Sequence, residues 1–232
     1  MAVKRDYGSF SKACERYFTP MIAPLGMQPL GGNKFGRKRE RWTDGLFLQQ
    51  SQWGSGAFSV TIGIHIPELD DLWQMPPGFG FLVGGRLSER GVGSDCWLPA
   101  RDNGELLASL KHFAQFLETA MPWFDTVQSI DDIAERYKTS NGIPAEPPDL
   151  PDLGKQLRWG NYGMLLLMCN RRKDARRWIT AALDSMSRPL YFTPSRTFVY
   201  EKVAGAQRVK QSGDTRDQIK ALTAVLAAEA TE

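Results

Sequence analysis

The chain has 232 residues and a mass of 26.0 kDa, and its formal net charge is +3 at pH 7. With 42% hydrophobic and 11% aromatic residues it does not have a disordered composition, and it is long enough to fold without a disulfide framework or a structural metal. The N-terminal residues are charged, and no apolar run approaches the roughly 18 residues of a membrane span. We therefore expect a soluble, cytoplasmic protein without membrane contact.

The N-terminal part of the chain predicts a helix and a first strand. Apolar residues recur at helical spacing from Phe10 to Met21. Residues 34–42 have strand composition, and Thr43-Asp44-Gly45 after them has the residue types of a turn. We therefore expect a helix, a strand and a turn before a second strand begins.

The clearest pattern is a strict alternation of apolar and polar residues from Phe58 to Ile66, which predicts a strand with one buried face. Its expected core positions are Phe58, Val60, Ile62 and Ile64. Gly54-Ser55-Gly56 joins this strand to residues 46–53 as a hairpin. With a fourth strand at 79–87, the predicted fold class is α+β, an antiparallel four-stranded sheet packed with helices.

The remainder of the sequence predicts helices. An apolar stripe over 103–119 predicts a helix that backs the sheet, and a mostly helical C-terminal extension is expected. Prolines cluster between them. The predicted organisation is an α+β domain at 1–140, a Pro-rich linker or loop at 141–152, and a helical region at 153–232 packed on the first domain.

The strand motifs resemble those of a known family. Leu48-Gln49-Gln50-Ser51, followed by Phe58-Ser59-Val60-Thr61-Ile62-Gly63-Ile64, is similar to two paired strands of the bacterial domain of unknown function 4304. Arg86-Leu87-Ser88 matches a basic residue on the next strand of that family. The resemblance covers residues 9–140. It implies an α+β fold and nothing about activity.

The polar face of the sheet is one candidate surface for a ligand or partner. The residues predicted to line it are Gln50, Gln52, Thr61, His65 and Arg86. A solvated sheet face without a binding role gives the same pattern. A deep pocket around Gln50, His65 and Arg86 would indicate an enzyme, whereas a flat patch would indicate a protein partner.

No catalytic residue, cofactor or metal site is assigned. His65 and His112 have no metal-ligand spacing around them, and we expect His65 to be a surface residue of its strand. Cys14, Cys96 and Cys169 form no C-x-x-C pair and are expected to be free thiols, with Cys14 and Cys169 buried. No nucleotide-binding or serine-hydrolase motif is present.

Charge is segregated along the sequence, with a net charge of +5 in residues 1–56, −9 in 57–152 and +6 in 153–177. The first basic patch comprises Arg37, Lys38, Arg39 and Arg41, and a second cluster lies at 171–177. Basic residues interleaved with aromatic ones can bind phosphate backbones and stack bases. Alternatively, the acidic segment around Asp131, Asp132 and Glu135 neutralises the first patch within the fold.

These observations favour a non-catalytic protein-binding module, of the toxin-neutralising immunity type found among small bacterial proteins. Two alternatives stay open. One is an enzyme with a dispersed site on the polar sheet face, and the other is a nucleic-acid binder that uses the basic strand at 34–41. Whether the chain is an enzyme is left undecided by the sequence, with the balance toward a binding protein.

Overall fold

The computed structural model describes residues 8–51, 56–73, 82–93, 96–148, 155–195, 198–199, 202, 204, 207–208 and 213–229. The chain divides into two compact units. Unit 1 comprises Met1–Pro67 and Gly78–Gln128, and unit 2 comprises Glu68–Pro77 and Ser129–Glu232. The linker at 141–152 stays a prediction. Among the described residues, none of the helices combines the length and the apolar character that a membrane span requires.

Unit 1 contains a seven-stranded antiparallel sheet. Its strands are β1 (Gln28–Gly31), β2 (Lys34–Lys38), β3 (Thr43–Gln50), β4 (Ala57–His65), β5 (Val83–Ser88), β6 (Gly91–Val92) and β7 (Leu98–Pro99). Strands β1 to β6 follow one another across the sheet in chain order, and β7 also pairs with β4. The α+β class is confirmed, and the sheet is larger than the predicted four strands because β1, β6 and β7 are too short to show a period.

The core of unit 1 lies on the predicted face of β4. Phe58, Val60, Ile62 and Ile64 are all buried there, which confirms the register inferred from the alternation. The Phe58 ring lies 5.4 Å from the rings of both Phe10 and Phe113, measured between centroids. These two residues belong to α1 (Phe10–Ile22) and α3 (Asn103–Asp125), so these helices cover this face of the sheet.

The helix α3 begins where the sequence predicts and continues further. The Asp102 side chain caps it by accepting a hydrogen bond of 2.8 Å from the Glu105 backbone N–H. Of the apolar stripe predicted for 103–119, Leu106, Leu110, Phe113 and Leu117 are buried. The helix then runs through Pro122 to its last residue, Asp125.

The turn between β2 and β3 lies earlier than predicted. The Arg39 backbone N–H donates to the Trp42 carbonyl oxygen at 2.8 Å and closes the turn. Thr43, Asp44 and Gly45 are therefore strand residues, and the prediction of a turn there was wrong. The reason lies in the Asp44 carboxylate, which is buried and accepts hydrogen bonds that hold its backbone in the strand.

Unit 2 is mainly helical. Its described elements are α4 (Ile130–Ser140), α5 (Gln156–Met168), α6 (Arg172–Ser187), α7 (Gly213–Glu229) and a small sheet of β8 (Tyr191–Phe192), β9 (Phe198–Val199) and β10 (Gln207–Arg208). The short helix α2 (Pro67–Leu72) crosses the boundary of the units. Asn170, at a φ of 59°, reverses the chain between α5 and α6. These two helices pack closely, with Tyr162 edge-on to Trp178 at 5.5 Å.

None of the three cysteines is in a disulfide, as predicted. Cys14 is fully buried, whereas Cys169 is only half-buried because it caps the C-terminus of α5. Burial raises the pKa of Cys14 to about 12, so that this thiol carries almost no thiolate at neutral pH.

We expect a thiol reagent at about pH 8 to modify Cys96 and Cys169 in the native protein and Cys14 only after denaturation, since the thiolate is the reactive form. Peptide mapping by mass spectrometry, with and without denaturant, shows which cysteines are modified in each state. Native-state labelling of Cys14 as fast as that of Cys169 would contradict the burial of α1 against the sheet.

Candidate functional site

The residues predicted for the polar sheet face do not share one face. Thr61 on β4 lies directly opposite Arg86 on β5, so these two side chains leave the sheet on the same side. Gln50 on β3 lies opposite Phe58, which points toward the helices. Gln50 is therefore on the helix-packed side. Gln52 falls outside the described residues.

His65 lies on the same face as Thr61 but about 13 Å further along the strand, at roughly 3.3 Å per residue. It is 8% exposed and opposite the buried Thr43. The prediction of a surface histidine was therefore wrong. Because Gln50 and Arg86 lie on opposite faces, the three residues whose convergence would have indicated an enzyme do not form one pocket.

The structure instead shows a row of half-buried side chains across the face that carries Thr61. The backbone pairing places Lys34, Phe47, Thr61 and Arg86 directly side by side on four neighbouring strands. Neighbouring strands lie about 4.8 Å apart, so the backbones of Lys34 and Arg86, the two basic residues at its ends, are about 14 Å apart. We call these four residues the contact row.

Trp97 extends the contact row at its β5 end. The guanidinium carbon of Arg86 lies 4.7 Å from the centroid of the Trp97 ring, within the range of a cation–π interaction. Trp97 is 42% exposed, and only Leu157 is a comparably exposed large hydrophobic residue in the described ranges. Sequence reasoning missed Trp97 because its position depends on the pairing of the two-residue strand β7 with distant β4.

The predicted basic patch is largely paired within unit 1. The buried carboxylate of Asp44 accepts hydrogen bonds from Nε of Arg37 and Nε of Arg39, both at 2.9 Å. It also accepts one of 3.2 Å from the indole N–H of Trp42. Strand pairing explains the arrangement, since Arg37 and Asp44 are direct neighbours across β2 and β3.

A second carboxylate completes this network. Asp125, the last residue of α3, accepts hydrogen bonds from Arg37 Nη2 at 2.7 Å and Arg39 Nη2 at 2.8 Å. The hydrogen bond from Arg37 lowers the pKa of Asp125, and that from Arg39 adds to the effect. Of the basic patch, Lys38 and Arg41 are the residues that lie exposed at the strand end and in the turn.

The neutralising acids are therefore not those expected from the sequence. Glu135, on α4, pairs with Arg171 at 3.5 Å. At the start of the same helix, the Asp132 backbone N–H donates to the Ser129 hydroxyl, and this hydroxyl donates to the Asp132 carboxylate at 3.0 Å. For Arg37 and Arg39, the prediction that these acids neutralise them was wrong, because their partners are the strand neighbour Asp44 and the end of α3.

No group of three or more His, Cys, Asp and Glu side chains within the described ranges is placed to hold a metal ion. His112 lies 3.4 Å from the carboxylate of Glu89 through its Nε2.

Comparison with known proteins gives one match. Residues 18–126 match the model of the family described as Domain of unknown function (DUF4304). This segment includes all seven strands of the sheet and the whole of α3. The resemblance predicted from the strand motifs is thereby confirmed. No curated protein and no solved structure shows a significant match to the chain.

Proposed function

We propose that this chain is a non-catalytic protein-binding module whose contact centre is Trp97 stacked on Arg86. The observation that carries the proposal is the exposed Trp97 ring, which packs on the half-buried Arg86 at the end of the contact row. Tryptophan and arginine are the residue types most enriched among the few side chains that dominate binding energies at protein interfaces. Here they are already in contact, so little side-chain ordering remains to be done on binding.

The partner that fits this surface is a protein with carboxylates flanking an apolar side chain. The contact row has basic residues at both ends, Lys34 and Arg86, and the aromatic ring of Phe47 between them. A cation–π pair is also stronger once a partner excludes water from it. Neutralisation of a toxin is one form of such binding, and it is proposed here by analogy with small bacterial immunity proteins alone.

Two observations weigh against the rival functions. A catalytic pocket on the sheet would need polar groups that converge, and Gln50 and Arg86 lie on opposite faces. A nucleic-acid interface on the basic strand would need guanidiniums available to phosphates, and those of Arg37 and Arg39 are hydrogen-bonded to Asp44 and Asp125.

The test identifies the partner through the site itself. An aromatic photo-crosslinking residue, which keeps a ring at the contact, replaces Trp97 in the full chain, and a control carries it at Glu118, which is exposed on α3. After irradiation in the lysate of cells that express the chain, we expect a protein adduct from position 97 alone. The adducted protein is then purified and titrated calorimetrically against the wild type and variants.

We expect Trp97→Ala to weaken that binding by at least about 30-fold, the effect of losing about 2 kcal/mol at a hot spot. Arg86→Gln removes one charge from the contact row, and its matched control Arg90→Gln removes one charge outside it. We expect only Arg86→Gln to weaken binding. Unfolding free energies should change by less than about 1 kcal/mol for Trp97→Ala. Unchanged affinity of Trp97→Ala for the crosslinked protein, or an adduct that is nucleic acid, would refute the proposal.

A further inference from the structure

Unit 2 contains a cavity of about 610 Å³ along one face of α6. This volume lies in the range of small-molecule sites. The lining includes Lys173, Arg176, Arg177 and Ser185, which recur at helical spacing on α6, and it also includes Pro148 and Trp159. We call this cavity the α6 groove.

The α6 groove is lined by basic residues that have no ion-pair partner among the described residues. Lys173, Arg176 and Arg188 line it, and none of them forms an ion pair within the described part of the chain. Arg177 is paired with Glu146 at 3.3 Å. Asp184 is the acidic residue of the lining. The groove is therefore electropositive.

The basic residues of the groove do not stabilise α6 itself. Lys173 and Arg176 lie in its first turns, where the helix macrodipole is positive and a cation is unfavourable. The N-cap residue of the helix, Arg171, also supplies no side-chain hydrogen bond that caps it. An anion near this end of the groove would offset both the side-chain charges and the helix terminus.

Two buried polar groups point to a ligand independently of the charge. The Nε1–H of Trp159 and the hydroxyl of Ser185 are buried and have no hydrogen-bond partner in the described structure. Both residues line the α6 groove. A buried polar group without a partner is costly, and the indole N–H is only a donor, so each is a position for a hydrogen-bonding atom of a ligand.

We infer that the α6 groove binds a small organic phosphate. The phosphate lies between Lys173 and Arg176, since guanidinium groups bind phosphate oxygens through paired hydrogen bonds. The uncharged body extends along α6 and presents polar atoms to Trp159 and Ser185. From Arg176 to Ser185 the helix rises about 13–14 Å, which matches a molecule of nucleotide size.

The experiment titrates the full chain calorimetrically with ADP as the probe, and with pyrophosphate, adenosine and poly-glutamate for comparison. We expect ADP to bind more tightly than pyrophosphate or adenosine, since only ADP supplies both the phosphate and the body. Arg176→Gln should weaken ADP binding at least about tenfold. The matched control Arg90→Gln, an exposed arginine in unit 1, should leave it unchanged.

Ser185→Ala separates binding from folding. It removes a buried hydroxyl that has no partner, so the free protein should melt at the same temperature or higher, while ADP affinity falls about three- to tenfold. The inference is overturned if ADP binds no better than adenosine, or if Arg90→Gln weakens binding as much as Arg176→Gln. Pyrophosphate binding equal to ADP with no effect of Ser185→Ala, or preference for poly-glutamate, would also overturn it.

Discussion

Ile62→Asp is expected to abolish the folded structure of unit 1, whereas Thr61→Asp, one residue earlier on the same strand, leaves it folded. Ile62 is fully buried on the helix-packed face of β4. Losing its burial costs about 1.5–3 kcal/mol, and placing a carboxylate in an apolar core adds several more. The sum approaches the whole stability of a typical domain, about 5–15 kcal/mol.

Thr61→Asp places the same carboxylate on the other face. Thr61 is half-buried and directly opposite Arg86, so the new charge faces a guanidinium and solvent. We expect a change of less than about 1 kcal/mol. Near-ultraviolet circular dichroism and thermal melting of the two variants measure the contrast. Similar melting curves for both variants would mean that the register of β4 is wrong.

The expected difference between Ile62→Asp and Thr61→Asp rests on the register of β4, which the sequence could predict. The alternation along β4 is a local pattern, and a shift by one residue would move four large apolar side chains into water. Gln50 carried a similar local signal, because Leu46 and Leu48 precede it at a period of two and both are buried. The prediction that Gln50 lies on the polar face followed the polar residues next to it in the sequence instead of this period, and it was wrong.

Other features depend on partners far away in the sequence. Thr43-Asp44-Gly45 has the composition of a turn, and what makes it a strand is its hydrogen bonding to two arginines. Arg37 on β2 and Arg39 just after it both donate to the Asp44 carboxylate. The second acid of that network, Asp125, comes from the end of α3. The same holds for Trp97, whose contact with Arg86 depends on the pairing of the two-residue strand β7, which no local pattern marks, with β4.

Asp44→Asn is expected to destabilise unit 1 by about 3–5 kcal/mol, the cost of removing one member of a buried ion pair. Asp44 is 0% exposed, and its carboxylate accepts hydrogen bonds from Arg37, Arg39 and Trp42. The amide of Asn brings two donors of its own to a position surrounded by donors, and it leaves two guanidiniums without their buried counter-charge. Urea unfolding, together with amide exchange in β2 and β3, measures the loss.

Asp125→Asn is the matched control, because it makes the same chemical change on an acid that contacts the same two arginines. The Asp125 side chain is 54% exposed, so solvent screens its pairs and the expected cost is at most about 1 kcal/mol.

The pKa of Asp125 is lowered in the folded state, chiefly by the hydrogen bond from Arg37. The contribution of Asp125 to the free energy of unfolding is therefore fully present above the ordinary aspartate pKa of about 3.9. It is lost as the pH falls through the lower pKa of the folded state. The difference between wild type and Asp125→Asn should then vanish in acid. Equal costs for the two substitutions at neutral pH would show that burial of Asp44 is not what gives this network its strength.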